Sequence, residues 1–276
     1  MMQVSEVFEK ASGKLPMIPK VVQELVNSFN RADVVNNEEI SKTVGHDQVL
    51  TARVLRLANT ARFGGSRRVG SLDDALIILG FDTLRVLVIA SGITGTTANI
   101  PNFDLKSFWK GCFEIANTTK VLARLSHQNP QLAFTCGLLA RIGELVLHLA
   151  APGVTPEIER KVGDSPNRID VERALLGVDS AQVGAELAWR WSFPEEIVTA
   201  IGQQYPLDGK EGKPELATLI GLAKQIVRDF NQRLDAETVF AHLPPPVLTQ
   251  LGLTMAQLQD AADELAEAST QVDDLF

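Results

Sequence analysis

Apolar residues recur at helical spacing along nearly the whole chain, and no run of Val, Ile or Thr alternates with polar residues long enough to make a half-buried strand. The pattern predicts an all-α protein. After Pro16 and Pro19, Val21, Val22, Leu25, Val26 and Phe29 make one apolar stripe ending near Arg31, and Asn36 with Glu39 reads as a helix start. A helix from Asp47, its N-cap, to Phe63 buries Leu50, Val54, Leu57, Ala58 and Ala61 and stops at Gly64-Gly65. A short helix opens at Ser71–Asp74 and closes at Gly80, and Asp82 opens another. That helix fades into Ser91–Asp104, rich in Gly, Thr, Asn and Pro, which sets the expected boundary between an N-terminal helical subdomain, 1–104, and a C-terminal part, 105–276. Beyond it the spacing predicts helices over Leu105–Ser126 and, past the turn at Asn129-Pro130, Gln131–Ala150, ended by Pro152 and Pro156. Shorter helices are expected around Val171–Leu176, Ala181–Trp191, Glu195–Gln204, Glu215–Gln232 and Met255–Ala268, with Pro244-Pro245-Pro246 as punctuation.

Charge narrows the function classes. With 26 Lys and Arg against 34 Asp and Glu the chain carries a net charge of −8, which works against tracking a nucleic-acid backbone, so no nucleic-acid partner is expected. Only Cys112 and Cys136 are available for a disulfide, which points to a reducing compartment and to two small buried side chains. The N-terminus has neither the basic start nor the apolar stretch of a signal peptide. The most apolar windows, Leu84–Ile93 and Cys136–Ala151, are too short or are interrupted by Arg141, Glu144 and His148 for a span of about 20 apolar residues. A cytoplasmic protein with no membrane partner is the expectation.

Several motifs then fall in one order. They are Leu15-Pro16-Met17-Ile18-Pro19; the lead-in helix from Asp47 to Ala58; Asn59-Thr60-Ala61-Arg62-Phe63; Val69 to Leu76 with Leu79-Gly80; Phe108-Trp109-Lys110; Gly137-Leu138-Leu139 with Ile142-Gly143; and Val183 to Ala188 with Trp191-Ser192-Phe193-Pro194. Over about Leu15 to Arg228 this resembles the HDOD family, the HD-related output domain of bacterial signalling proteins. The resemblance implies a multi-helix HD-like bundle with an N-terminal helical subdomain, related to metal-dependent phosphohydrolases whose His and Asp ligands activate a bound water.

Each ligand position implied by that relationship is substituted. The first histidine is matched by Gly111, the adjacent His-Asp by Ala140 and Arg141, the later histidine by Ser180, the His-His pair by Gln203 and Gln204, and the final aspartate by Lys224. Two cations at metal-ligand positions invert the electrostatics that a divalent ion needs, so the catalytic function is expected to be lost, with no metal and no cofactor. Arg141 and Lys224 can convert the old metal cavity into an anion site or into an ion-paired plug, and Glu144, one turn on, is placed to neutralise Arg141.

Other features carry less. His46-Asp47 is a literal His-Asp pair outside the metal helix, and His127, His148 and His242 have no ligand spacing among them. No nucleophile elbow, phosphate-binding Gly-Lys-Ser/Thr loop or Cys-x-x-Cys pair is present. Trp109, Trp189 and Trp191 with Phe108 and Phe193 are expected in the core. Arg53, Arg56, Arg62, Arg67 and Arg68 lie in a sixteen-residue stretch without an acidic side chain. That stretch reads either as a docking site for an acidic or phosphate-bearing partner, or as a solvated face balanced by acids such as Asp260, Asp263, Glu264, Glu267, Asp273 and Asp274. The expected function is a non-catalytic signalling module that binds a protein partner and takes its input from another chain or a ligand. The alternatives are a metal-dependent phosphohydrolase and a sensor of a small anion, with a polar cavity around Arg141, Lys224 and Gln203.

Overall fold

A computed structural model describes residues 1–13, 15, 41–42, 44–45, 48–60, 69–94, 100, 103–162, 168–207 and 212–269. The predicted helix around 21–31, the start at Asn36, the pair His46-Asp47, residues Ala61 to Gly65, Arg67 and Arg68, and Asp273 and Asp274 lie outside them. The described elements are α1 (Val4–Lys10), α2 (Gln48–Ala58), α3 (Leu72–Thr94), α4 (Leu105–Leu125), α5 (Pro130–Leu139), α6 (Ile142–Ala150), α7 (Thr155–Val162), α8 (Arg168–Leu176), α9 (Ser180–Arg190), α10 (Glu195–Gly202), α11 (Glu215–Asn231), α12 (Ala236–Ala241), α13 (Pro245–Gln250), α14 (Met255–Asp260) and α15 (Ala262–Ala268). No strand occurs among the described residues, and the fold is all-α. The chain divides into two compact units, one made of Met1–Leu15 and Ile100–Asp273 and the other of Pro16–Asn99 and Asp274–Phe276.

In the smaller unit, α2 buries Leu50, Val54, Leu57 and Ala58, the stripe its spacing predicts. Asn59 ties the chain beyond it: its amide donates to the Val69 carbonyl at 2.9 Å while its side-chain oxygen accepts from the Val69 N–H at 2.9 Å. The hydroxyl of Ser71 accepts from the Asp74 N–H and so opens α3. Gly80, at φ 71° and ψ 165°, is non-helical and divides α3 into two helical stretches, as the expected close at Gly80 and new start at Asp82 require, a conformation that costs glycine little. The helix then runs through Thr94, into a segment whose polar composition hides it.

The larger unit is organised by α4, which packs against α5, α11 and α15 and is buried on most of its circumference. Its ends are set by side chains: Asp104 accepts from the N–H groups of Lys106 and Ser107, and Asn129 caps α5 with Pro130 in the first turn. Asp179 with Gln182 forms a reciprocal cap on α9. Cys112 and Cys136 are both buried thiols, and burial pushes Cys112 up to about 12.

Four expectations need correction. The run Gln131–Ala150 is two helices, broken at Ala140-Arg141, where i to i+3 bonds replace the regular ladder: Ala140 N–H to Gly137 O and Glu144 N–H to Arg141 O. Close packing on both sides explains the break. A Cβ on Gly137 would stand 2.8 Å from Ala116 Cα, and one on Gly143 would stand 1.9 Å from the Ser180 carbonyl oxygen. The break aims these two contacts at different neighbours, α4 and α9. This stretch, Pro130–Ala150, has the length and apolarity of a bilayer span, but it is 94% buried and serves as core. The run Met255–Ala268 is likewise two helices, meeting at Ala261. Pro244-Pro245-Pro246 starts α13 instead of only interrupting, since proline suits a first helical turn. Trp189 is 65% exposed, because α9 turns Val183, Gly184, Leu187 and Ala188 inward; Trp109 and Trp191 are buried as expected.

Candidate functional site

The break between α5 and α6 places Arg141 at the wall of a cavity of about 660 Å³ within the larger unit, lined from α4, α8, α11 and residues 205–207. Arg141 Nε lies 3.1 Å from both carboxylate oxygens of Glu144, and a terminal guanidinium nitrogen lies 2.7 Å from Oε2. Gly111 makes room for this pose: a Cβ there would meet Arg141 Nη1 at 2.5 Å. The guanidinium carbon also sits 5.2 Å from the Phe108 ring centroid. Gly111 and Arg141 therefore form one steric unit, the absent side chain at one position leaving space for the long one at the other.

Glu144, only 3% exposed, is shared. Arg168 Nε approaches its Oε2 to 3.7 Å, donates to Glu172 Oε1 at 2.8 Å, and grips Glu159 through both terminal nitrogens at 3.1 and 2.5 Å. Burial by itself would raise the Glu144 pKa, but the guanidinium groups of Arg141 and Arg168 outweigh it and hold the carboxyl far below the usual range. Glu172 goes the other way: burial pushes its pKa up, although Arg168 and the Ser180 N–H, which donates to Oε2 at 2.7 Å, oppose this. His148 Nδ1 lies 2.8 Å from the Glu144 carbonyl oxygen, and burial pushes its pKa down.

At the other end, Lys224 on α11 donates to Gln204 Oε1 at 2.9 Å and stands 4.9 Å from the Tyr205 ring centroid. Gln204 is buried and fully engaged, its amide nitrogen donating to the carbonyls of Ala140 and Ile201. Two further cations line the cavity, and each has a carboxylate: Arg173 with Asp179 at 2.7 Å and Arg228 with Asp229 at 2.9 Å.

The structure thus brings Gly111, Ala140, Arg141, Gln204 and Lys224 together around this cavity, with Ser180 reached through Glu172. Gln203 is exposed at the end of α10, so Gln204 is the residue that meets Lys224. Arg168, Glu159, Glu172 and Tyr205 belong to the same surroundings; the i,i+4 spacing of Arg168 and Glu172 is a local signal, but nothing local shows that Arg168 reaches Glu144. Arg53 and Arg56 are exposed on α2 of the smaller unit.

The donor set does not fit a divalent metal. Among the described residues no three His, Cys, Asp or Glu side chains converge as ligands. The position matched to the first histidine is filled by the guanidinium of Arg141, and Glu144 is already held by two arginines.

What these features define is a helical core of the HD type in which Arg141, seated against Gly111, is closed onto Glu144 as an internal ion pair. The HDOD domain model matches residues 15–207, and the chain belongs to that family. It is 34% identical to a presumed phosphohydrolase from Shewanella amazonensis SB2B, with 97% of this chain and 98% of that one covered and a TM-score of 0.71. An HDOD domain protein of unknown function from Geobacter sulfurreducens shares the fold at 24% identity and a TM-score of 0.76, over 99% of this chain and 98% of that one. An uncharacterized protein of Treponema pallidum (strain Nichols) is 26% identical over 242 residues. Those residues are 85% of this chain but 45% of that relative, so the chain spans a little under half the length of the curated relative it matches.

Proposed function

We propose that the chain is a non-catalytic regulatory module of bacterial signal transduction, acting in the cytoplasm by binding a protein partner. The observation that carries this is Arg141: it occupies the room vacated at Gly111 and is closed onto Glu144, so the centre of the former metal site is a neutralised cation in place of a ligand set. Hydrolysis of the HD type needs a metal-bound water, and neither Gly111, Arg141 nor Lys224 can help to hold one. Membership of the HDOD family supports a regulatory role. On the smaller unit, Arg53 and Arg56 are exposed and suit an acidic partner, with Arg62, Arg67 and Arg68 following in sequence.

A second reading, a metal-dependent phosphohydrolase, is favoured by the name of the Shewanella relative. One experiment separates the two: elemental analysis of protein purified without chelator, together with a chromogenic phosphodiester assay in Mn²⁺. The regulatory reading expects neither stoichiometric metal nor metal-dependent turnover, and either result restores the enzyme. Partner capture should be lost when Arg62, Arg67 and Arg68 are replaced together.

A further inference from the structure

The cations around the cavity are not equivalent. Arg141 and Arg168 share Glu144, Arg168 also holds Glu159 and Glu172, and Arg173 and Arg228 each face a carboxylate of their own. Lys224 differs: its direct contacts are a neutral amide oxygen and an aromatic ring, and among the described residues no carboxylate forms an ion pair with it, Glu144 acting on it only through the longer-range field. Gln204 cannot rotate away without breaking two buried hydrogen bonds, so Nζ is held in place at the wall of an open cavity. A cation kept there without a directly bonded carboxylate, in a cavity that also holds Arg141, Arg168, Arg173 and Arg228 beside Glu114, Glu144 and Asp170, can take an external anion, and ammonium groups bind phosphate and carboxylate oxygens as point charges.

The rest of the cavity sets the size and character of such a ligand. At about 660 Å³ it lies within the range of small-molecule sites. Ile115, Val162, Ile169, Leu207 and Val227 supply apolar wall beside the charged residues. We propose that this cavity binds a small organic oxyanion, its phosphate or carboxylate head on Lys224 and its apolar body against these side chains. Arg141 and Arg168, already matched by carboxylates, shape the wall and do not supply the attraction.

The inference rests on the site being one for binding and not for turnover, and the two can fail separately. Phenyl phosphate and benzoate, which differ in the head group, are titrated by calorimetry into the protein in EDTA, at low and high NaCl. Binding of either probe, weakening with salt, is expected. Lys224→Gln should weaken it about tenfold or more, the worth of a charge-assisted hydrogen bond, while Lys224→Arg should retain most of it. The preferred probe tells phosphate from carboxylate. Absence of heat with both probes, or equal affinity in wild type and Lys224→Gln, overturns the anion site. Should Lys224→Gln fail to fold, salt-independent binding by the wild type does the same. Mn²⁺-dependent release of phenol would instead overturn the regulatory reading and leave the binding result to stand by itself.

Discussion

At the Arg141 end of the cavity every cation lies against carboxylates, and the contacts are short and link α6, α7 and α8. At the Lys224 end a cation of the same sign is steadied by groups that carry no charge. Both are positions that the family resemblance matches to metal ligands, yet one is a closed part of the fold while the other keeps a charge without an ion-pair partner at the wall of the cavity. A cation in this wall thus has two structural outcomes: where an acid lies one turn away, as Glu144 does from Arg141, it is absorbed, and where only an amide and a ring are in contact, as at Lys224, it stays available.

The sharpest way to break this contrast is to remove the acid. Glu144→Gln leaves Arg141 without its carboxylate and weakens the surroundings of Arg168; a loss of about 3–5 kcal/mol in urea unfolding is expected, the cost of stranding a buried charge. Gly143→Ala attacks the frame instead, since its Cβ would overlap the Ser180 carbonyl; a loss of about 1–3 kcal/mol in the same measurement is expected.

Acid titration tests the same group in the wild type. Because the folded pKa of Glu144 is depressed, its contribution to stability is present above the ordinary value of 4.5 and is lost as the pH falls below it. Glu172, raised by burial, works in the opposite direction, losing stability as the pH climbs through its folded value. Below pH 4.5 the wild type should thus lose stability more steeply than Glu144→Gln, by up to about 1.4 kcal/mol per pH unit for the one proton concerned. The smallest effect is predicted at the other end: Lys224→Met breaks no ion pair and removes only the donor to Gln204 Oε1, so a loss of about 1 kcal/mol is expected, and a loss as large as that of Glu144→Gln would mean that Lys224 is absorbed after all.

Much of the fold is written locally. The caps at Asp104, Asn129 and Asp179 and the stripe of α2 are short-range chemistry and can be read from neighbouring residues. The break at Ala140-Arg141 cannot, because an uninterrupted apolar run looks like one helix; what divides it is the demand of Gly137 and Gly143 for two different partners, which exists only once α4 and α9 are in place. The site divides the same way. Arg141 with Glu144 is one helical turn and is legible, whereas Glu159, Arg168 and Glu172 arrive from α7 and α8. Lys224 is visible in sequence only as a substitution. Its distinction from Arg141 depends on which neighbours the fold supplies.

The tight fit of Gly111 against the guanidinium of Arg141 also bears on how these two positions can change. A histidine placed at 111 meets Arg141 before it meets any metal, and an aspartate placed at 141 gives up the partner that neutralises Glu144. Either single change is harmful, and only the two made together avoid the overlap. Substitutions at these two positions are therefore coupled, a side chain at 111 being admitted only once the one at 141 has given up the space.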